Sequence, residues 1–308
     1  MINPELNVFL ADWAAHWARL PAGSGPAARR AHFEVVAAAM RQPTPAGVVT
    51  QEQWIEHDGR RVRLRCFRVP TDSPQAALVY FHGGAWMQGS PETHWDITAG
   101  LAARTGRAVY SVDYAKAPEH PFPAAVNDAR AVVGWLFAHA AAQGVDVARI
   151  AIGGDSAGAN LSAAMTLAFR GSACALEKQL LVYPACDFDM SRPSYAENGQ
   201  GPIVTTASMP AVNAMYCPDP ADMKNPLVAP LLADSHAGLP PAFVAVAEHD
   251  PLRDSGLAYA EALQAAGVAV ELDRGPGLIH GYLRGMAYCA DVRSVFARMA
   301  TWLSAART

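Results

Sequence analysis

A serine with small neighbours stands where an apolar run meets an alanine-rich stretch. Ser156 lies in the motif GDSAG (154–158), after the run 149–154 and at the start of residues 156–170. The G-x-S-x-G pattern is typical of a sharp strand-to-helix turn, in which a serine hydroxyl is held exposed beside a helix N-terminus. A phosphate-binding glycine turn is the alternative, but no Gly-Lys-Ser/Thr follows and the G-x-G-x-x-G spacing is absent. We therefore predict that Ser156 is a nucleophile.

A serine hydroxyl needs a base to take its proton, and the base needs an acid to orient it. In serine hydrolases that use this turn, the chain order is serine, then an acid, then histidine. Three histidines follow Ser156, namely His236, His249 and His280. His236 lies in a proline-flanked stretch and His249 at a strand end, whereas His280 lies in a glycine-flanked loop after the last apolar run. We predict that His280 is the base; a surface histidine is the alternative.

The acid is expected at the end of the apolar run 242–248. Asp250 follows this run directly, where a carboxylate would be well placed to hold the imidazole in one tautomer. Asp254, one helical turn further on, is better explained as a structural partner or a helix N-terminal charge. We predict Asp250 as the acid, with Asp254 and Glu248 as alternatives.

A second glycine-rich motif, HGGAW (82–86), follows the apolar run 76–82. Glycines at this point expose backbone N–H groups that could bind an oxyanion, each contributing roughly 3–4 kcal/mol of transition-state stabilisation. We predict the N–H groups of Gly83, Gly84 and Ala157 as the donors, and His82 as a hydrogen-bonding support. H-E-x-x-H and calcium-loop patterns are absent, so neither a metal nor a cofactor is expected.

The elements that must position these groups follow from the apolar pattern. Two alternating runs, 50–57 and 61–69, are joined by Asp58-Gly59 and predict a hairpin. Short apolar runs then alternate with helical stretches, which indicates a mostly parallel sheet covered on both faces, an α/β fold. The apolar runs are 76–82, 107–114, 149–154, 179–184, 242–248 and 268–274, and the helical stretches are 93–104, 123–143, 156–170, 252–266 and 288–306.

The interval after residue 184 is too long for a connecting loop and holds one helical patch, about residues 207–217. An insertion there leaves from the carboxyl end of a strand, where ligands bind in α/β sheets. We interpret residues 1–45 and 187–239 as a cap over catalytic parts formed by residues 46–186 and 240–308. The substrate-binding residues are predicted to be Trp86, Asp155, Ile203, Met209 and Tyr216, with core packing as the alternative for the last three.

Composition narrows the class of protein. The 308 residues carry a net charge of -4, so nucleic acid is an unexpected partner. The five cysteines are an odd number without a C-x-x-C motif, which indicates free thiols in a reducing compartment, hence a cytoplasmic location. The N-terminus has no signal-peptide pattern, and no run of 18 apolar residues predicts a membrane span.

These motifs together resemble the hormone-sensitive-lipase-like esterases of the α/β-hydrolase superfamily. The resemblance spans about residues 75–285 and rests on HGGAW (82–86), VDYAKAPEHPFPAA (112–125), GDSAGAN (154–160), GLPPAFVAVAEHDPLRDSG (238–256) and IHGY (279–282). It implies an α/β-hydrolase fold and a carboxylesterase for short or medium acyl chains. It also implies a triad of Ser156, Asp250 and His280, and an oxyanion hole of Gly83, Gly84 and Ala157.

Two departures from the family pattern stand out. Ala85 occupies the place of a third glycine, which adds a methyl group near the path of the substrate. The family's Tyr-Arg-Leu-Ala-Pro-Glu reads YAKAPE (114–119) here, so the usual arginine is missing. Its loss puts the usual ion-pair network around Asp113 and Glu119 in doubt.

Other functions share this set of residues. Amide or formamide hydrolysis, as in an arylformamidase, uses a similar HGG-aromatic motif. A non-enzymatic ligand-binding protein of this fold is a further alternative, but such relatives have lost the catalytic histidine and this chain retains His280. The expected partner is a small acyl ester. A homodimer through the last strand and C-terminal helix rests on analogy with the family.

Overall fold

The computed structural model describes residues 1–306, and these are organised around one eight-stranded sheet with the order β1-β2-β4-β3-β5-β6-β7-β8. Strand β2 runs antiparallel to β1 and β4, and the other neighbours are parallel. The strands are β1 (Val49–His57), β2 (Arg60–Arg68), β3 (Gln75–Phe81), β4 (Ala108–Asp113), β5 (Val145–Asp155), β6 (Gln179–Val182), β7 (Ala242–Ala245) and β8 (Val270–Asp273).

Helices cover both faces of the sheet, as the continuous apolar runs predict. On β3, Val79 and Phe81 pack against one layer of helices, while Leu78 and Tyr80 point to the other. The helices are α1 (Pro4–Trp17), α2 (Pro26–Met40), α3 (Trp95–Thr105), α4 (Ala124–His139), α5 (Ala157–Ala168), α6 (Pro193–Glu197), α7 (Met209–Tyr216), α8 (Arg253–Ala265) and α9 (Ala290–Ser304). Helices α4, α5 and α8 lie on one face, and α3 and α9 on the other. The prediction of an α/β-hydrolase fold is confirmed.

The predicted strands and the helices between them differ from the observed ones only at their ends, whereas α6 and the 3₁₀ helices between β6 and β7 were not predicted. The hairpin turn is confirmed, because Asp58 and Gly59 both have positive φ, 47° and 69°. A two-residue turn with two positive φ angles matches the twist of the flanking strands. Helix α4 ends at His139 instead of residue 143, since the chain turns through Gly144 at φ 62° to enter β5.

Helix α1 and the residue before it are hydrogen-bonded to the loop after β8 and to the start of α9. The N–H of Asn3 donates to Gly277 O at 2.9 Å, and the Asn3 side chain donates to Asp291 at 2.6 Å. The carboxylate of Glu5 accepts the N–H of Ala290 at the start of α9. Helix α1 is thereby fixed beside the loop that follows β8.

The segment between β6 and β7 contains α6, α7 and three short 3₁₀ helices, at Thr206–Ser208, Asp222–Lys224 and Pro230–Leu232. It leaves from the carboxyl end of the parallel strands. Among residues 1–306, we find no helix with the length and apolar character that a membrane crossing requires.

Candidate active site

Ser156 lies at the end of β5, in a strained turn. Its φ of 53° and ψ of -120° are rarely adopted by non-glycine residues, and its N–H is held by Val182 O at 2.8 Å. The two glycines of the motif have no room for side chains. A Cβ at Gly154 would lie 2.3 Å from Phe81 O, and a Cβ at Gly158 would lie 1.9 Å from the same atom. The turn therefore needs glycine on both sides of Ser156.

His280 lies in the loop after β8 and makes two short side-chain hydrogen bonds. Its Nε2 is 2.9 Å from Ser156 Oγ, and its Nδ1 is 2.7 Å from Asp250 Oδ2. Because the carboxylate accepts the Nδ1 proton, Nε2 is left free to accept the serine hydroxyl proton. Asp250 is fully buried and its other oxygen accepts the N–H of Leu252 at 2.8 Å. The structure thus brings together the three side chains predicted as a triad.

The alternative residues lie elsewhere. His236 is hydrogen-bonded to Pro230 O, and His249 pairs by its backbone with the strip around Ile279. Asp254 binds Arg253 and the N–H of Ser194, and Glu248 accepts the N–H of Gly277. The side chains of His236, Asp254 and Glu248 thus have structural partners of their own, and His249 is held by its backbone.

The predicted oxyanion donors need one correction. The N–H of Gly83 donates to Asp155 Oδ1 at 2.9 Å, so it is already used, and its prediction as an oxyanion donor is wrong. Within residues 1–306, the N–H groups of Gly84, Ala85 and Ala157 have no such acceptor. Two of these unpaired donors lie in the loop after β3, and the third lies next to Ser156 at the start of α5.

The loop that carries these donors is held in a rare conformation. Gly84, Ala85 and Trp86 have φ angles of 128°, 55° and 54°. Two consecutive non-glycine residues with left-handed φ cost on the order of 1–2 kcal/mol each, which surrounding contacts must offset. The methyl group of Ala85, expected from the sequence, lies on the wall of the cavity described below.

Asp155 is one source of those contacts. Its carboxylate is 3% exposed and accepts Tyr80 Oη at 2.8 Å and Tyr183 Oη at 3.3 Å, in addition to the N–H of Gly83. Burial alone would raise the pKa of Asp155, but the neighbouring polar and charged groups, among them Arg284 and Tyr80, outweigh burial and hold it well below the usual value. The predicted role in substrate binding is therefore corrected: although Asp155 reaches the cavity, its oxygens are occupied by protein donors.

His82 supports the same loop, as predicted. Its Nδ1 is 2.9 Å from Gly83 O, and its ring stacks on Tyr114 with centroids 4.3 Å apart. Burial lowers the pKa of His82 well below its usual value, so the ring is neutral. A Cβ at Gly89 would lie 2.6 Å from His82 Nδ1, so the turn at Gly89 must close directly against the ring.

A cavity of about 530 Å³ opens above Ser156 and His280. Its walls are formed by the loop after β3, by helices α1, α2 and α7, and by residues 203–208 before α7. The apolar wall residues include Trp13, Phe33, Trp86, Ile203, Val204, Met209, Val212 and Met215. Trp86, Ile203 and Met209, which were predicted to bind the substrate, thus line this cavity.

Tyr216 does not line this cavity, contrary to prediction. Its ring is buried and stacks on Trp86, with centroids 4.1 Å apart and planes inclined by 5°. Helical spacing places Val212 and Met215 on the cavity side of α7 and turns Tyr216 toward the core. Tyr216 therefore supports Trp86 from behind.

The ion pairs expected to suffer from the missing arginine are supplied by other residues. Asp113 binds Arg63 at 2.9 Å and Lys116 at 2.5 Å, and Glu119 binds Arg30 of α2 at 2.8 Å. Arg30 also donates to the carbonyls of Met87 and Ala117, so it joins α2 to the loop after β3. Arg30 has no local motif that would have marked it in the sequence.

A family model described as the alpha/beta hydrolase fold matches residues 78–284. Carboxylesterase NlhH of Mycobacterium tuberculosis is 41% identical over 261 residues, 81% of this chain and 82% of that protein. An ethyl acetate hydrolase of Pseudomonas putida is 37% identical, over 74% of this chain and 73% of its own. The solved esterase of Pyrobaculum calidifontis superposes with a TM-score of 0.90 at 33% identity, covering 99% of this chain and 98% of that one.

Fold, motif order and sequence identity over most of the chain agree with the resemblance drawn from the sequence. The match begins within β3, ends in the 3₁₀ turn after His280 and includes Ser156, Asp250 and His280. The chain belongs to the α/β-hydrolase fold family and, within it, to the hormone-sensitive-lipase-like esterases.

Proposed function

We propose that Ser156, His280 and Asp250 are the catalytic triad of this carboxylic ester hydrolase. The observation that carries the proposal is the continuous hydrogen-bonded chain from Ser156 Oγ through His280 to the buried Asp250, at the floor of the cavity. Nucleophile, base and orienting acid are within hydrogen-bonding reach of one another, as serine hydrolysis requires.

In the first half of the reaction, Ser156 Oγ attacks the ester carbonyl carbon while His280 Nε2 takes the hydroxyl proton. The carbonyl π electrons move onto the oxygen and a tetrahedral oxyanion forms. Collapse of this intermediate breaks the bond to the alkoxy oxygen, which receives the proton from His280 and leaves as the alcohol. Asp250 stabilises the imidazolium during this step and stays deprotonated.

In the second half, a water molecule attacks the acyl group on Ser156 and His280 takes its proton. The new tetrahedral intermediate collapses to the carboxylic acid, and Ser156 Oγ recovers its proton from His280. Each half uses the same base, so one imidazole serves both steps.

The oxyanion donors in this proposal are the N–H groups of Gly84, Ala85 and Ala157. They are unpaired among residues 1–306, and Ala157 begins α5, where the helix dipole favours negative charge. Losing one oxyanion donor typically costs about 10²–10³ in kcat.

Residues 1–45 and 187–239 form the cap in this proposal. Support comes from the cavity wall, to which α1, α2 and α7 all contribute. An apolar cavity of about 530 Å³ is in the range of small-molecule sites. We infer short to medium acyl chains as the substrate class, in line with the ethyl acetate hydrolase relative.

Amide or formamide hydrolysis has no observation in its favour, and the relatives named above are ester hydrolases by name. The five cysteines are unpaired, which supports a reducing, cytoplasmic location as a proposal. A homodimer through the β8 edge stays a proposal without further support.

A fluorophosphonate probe tests the nucleophile directly, because it phosphonylates only an activated serine. Mass spectrometry should place the adduct on Ser156, and Ser156→Ala should lower kcat on p-nitrophenyl butyrate by about 10⁶. Ser172→Ala, at an exposed serine just past α5, is the control and should keep both labelling and turnover. An adduct on another residue, or Ser156→Ala activity within tenfold of wild type, would reject the assignment.

A further inference from the structure

The carboxylate of Asp155 is buried, ionised and far from bulk water, so its charge needs a partner inside the fold. Three neutral donors reach it, from Tyr80, Tyr183 and the N–H of Gly83. His94 Nε2 lies 3.4 Å from Asp155 Oδ1, and Arg284 acts on Asp155 through its charge.

The hydrogen bonds of His94 identify its protonation state. A guanidinium only donates, so His94 Nε2, 2.8 Å from Arg284, must accept. The proton is then on Nδ1, which donates to Thr93 Oγ1 at 2.9 Å, while that hydroxyl donates to Ser90 O. Burial lowers the pKa of His94, in agreement with a neutral ring. The positive charge that faces Asp155 is therefore that of Arg284.

Arg284 is held at two points on its polar side. One guanidinium nitrogen donates to Thr93 O at 3.0 Å and another to His94 Nε2. Arg284 lies in the 3₁₀ turn Tyr282–Gly285, four residues after His280. The side chain of Arg284 thus connects the loop that carries His280 to Thr93 and His94, which follow the HGGAW loop.

The N-terminal helices close over the same guanidinium. The ring of Phe33 in α2 lies 4.5 Å from its central carbon, and the ring of Trp13 in α1 lies 5.6 Å away. Phe33 also meets His94 edge-on, with centroids 6.4 Å apart. Cation–π contacts at this half-buried guanidinium hold it more firmly than contacts at an exposed site would.

We propose that Arg284 is a positioning residue for ester hydrolysis: it supplies the counter-charge that lets Asp155 hold Gly83, and so fixes the oxyanion donors of the neighbouring Gly84 and Ala85. The inference rests on the proposed oxyanion hole and goes beyond it, because it gives a role to a side chain on the cavity wall whose hydrogen bonds go to Thr93 and His94 and not to Ser156. It also makes α1 and α2 part of the alignment of the site, through Trp13 and Phe33.

The test compares Arg284→Met with Arg284→Lys, measuring kcat and KM on p-nitrophenyl butyrate. For Arg284→Met we expect kcat to fall by about 10- to 100-fold with KM changed less than about threefold, since donor alignment acts on the transition state.

Arg284→Lys restores the charge without the planar two-point hold. Its kcat should therefore recover in part with KM near the wild-type value, and it stays informative if Arg284→Met does not fold. Wild-type kcat in both variants would overturn the proposal. So would a loss in Arg284→Met that falls on KM instead of kcat, or a kcat in Arg284→Lys no higher than in Arg284→Met.

Arg298→Met is the matched control, because Arg298 of α9 also faces a buried carboxylate, that of Asp273, outside the site. It should lower Tm and leave kcat and KM unchanged. Fluorophosphonate labelling separates the two levels of the proposal. If wild type is not labelled at Ser156, the triad assignment fails; if Arg284→Met is labelled at the wild-type rate, only the role of Arg284 fails.

Discussion

The carboxylate of Asp155 accepts the backbone N–H of Gly83 at 2.9 Å, which ties the residue before Ser156 to the loop that follows β3. A Cβ at Gly83 would lie 2.4 Å from Asp155 Oδ2, so the two segments are in direct contact. Because β3 and β5 are parallel neighbours, their carboxyl ends bring these residues together. The serine turn and the loop after β3 are therefore built as one unit.

This unit should fail when its acceptor is removed. We expect Asp155→Ala to lower kcat at least about 100-fold, because the N–H of Gly83 and the hydroxyls of Tyr80 and Tyr183 lose a buried acceptor. Asp155→Asn keeps one acceptor oxygen and should lose about tenfold or less by the same reasoning. Steady-state kinetics on one p-nitrophenyl ester compares them; equal losses in both variants would show that the charge, and not the acceptor, is what matters.

Substitutions at Gly84 and Ala85, in the loop after β3, should have opposite effects. A Cβ at Gly84 would lie 2.1 Å from Gln88 O, so Gly84→Ala should unfold the loop and abolish turnover. Ala85→Gly relieves a left-handed residue and should raise Tm slightly or leave it unchanged, since the flexibility gained in the unfolded chain offsets part of the roughly 1–2 kcal/mol. Differential scanning calorimetry and kcat on the same preparations check this; a Gly84→Ala enzyme with wild-type turnover would contradict the packing described.

Acid should weaken the ion cluster that Glu92 forms with Arg63 and Arg65 of β2. Burial raises the pKa of Glu92, but Arg63 and then Arg65 outweigh burial and bring it to about 2, below its usual value of 4.5. A lowered carboxyl pKa stabilises the fold above about pH 4.5 and loses that contribution as the pH falls toward 2. Urea unfolding of wild type and Glu92→Gln should therefore show a wild-type advantage at pH 6 that shrinks at pH 3. An advantage independent of pH would contradict the ion pairing.

The cap should limit the acyl chain. We expect kcat/KM to peak at about four to six acyl carbons and to fall more than about tenfold at twelve, since each methylene adds roughly 0.8 kcal/mol only while it fits. Val212→Trp narrows the cavity and should move the peak to shorter chains.

Val147→Trp, at an exposed valine on β5 outside the cavity, is the control for that series and should leave the peak in place. A p-nitrophenyl ester series from two to twelve carbons on the three proteins measures it. Efficient cleavage of long-chain triglyceride, with a jump at the oil–water interface, would instead describe a lipase lid.

What the sequence could predict depends on how local each signal is. Ser156 and its glycines form one contiguous motif, and His280 and Asp250 follow strand ends in a known order, so local patterns identify them. Strand β3 is buried along its whole length and reads as an apolar run. These features need no knowledge of distant contacts.

The corrections all involve contacts between distant segments. The N–H of Gly83 is taken by a side chain 72 positions away, and no pattern near Gly83 announces that. Tyr216 lies two helical turns after Met209, but its ring stacks on Trp86 and faces the core. Arg284 and His94 meet across 190 positions without a motif. Such pairings are set by tertiary packing, which single-chain patterns do not encode.

The hydrogen bond between Glu5 and Ala290, at the start of α9, joins residues 285 positions apart. Closing a loop of that length costs conformational entropy that contacts between neighbouring elements do not. Contacts of such high separation slow folding, because the entropy is lost before the contact stabilises the chain. We therefore expect α1 to dock against the loop after β8 late in folding, once the sheet between them has formed.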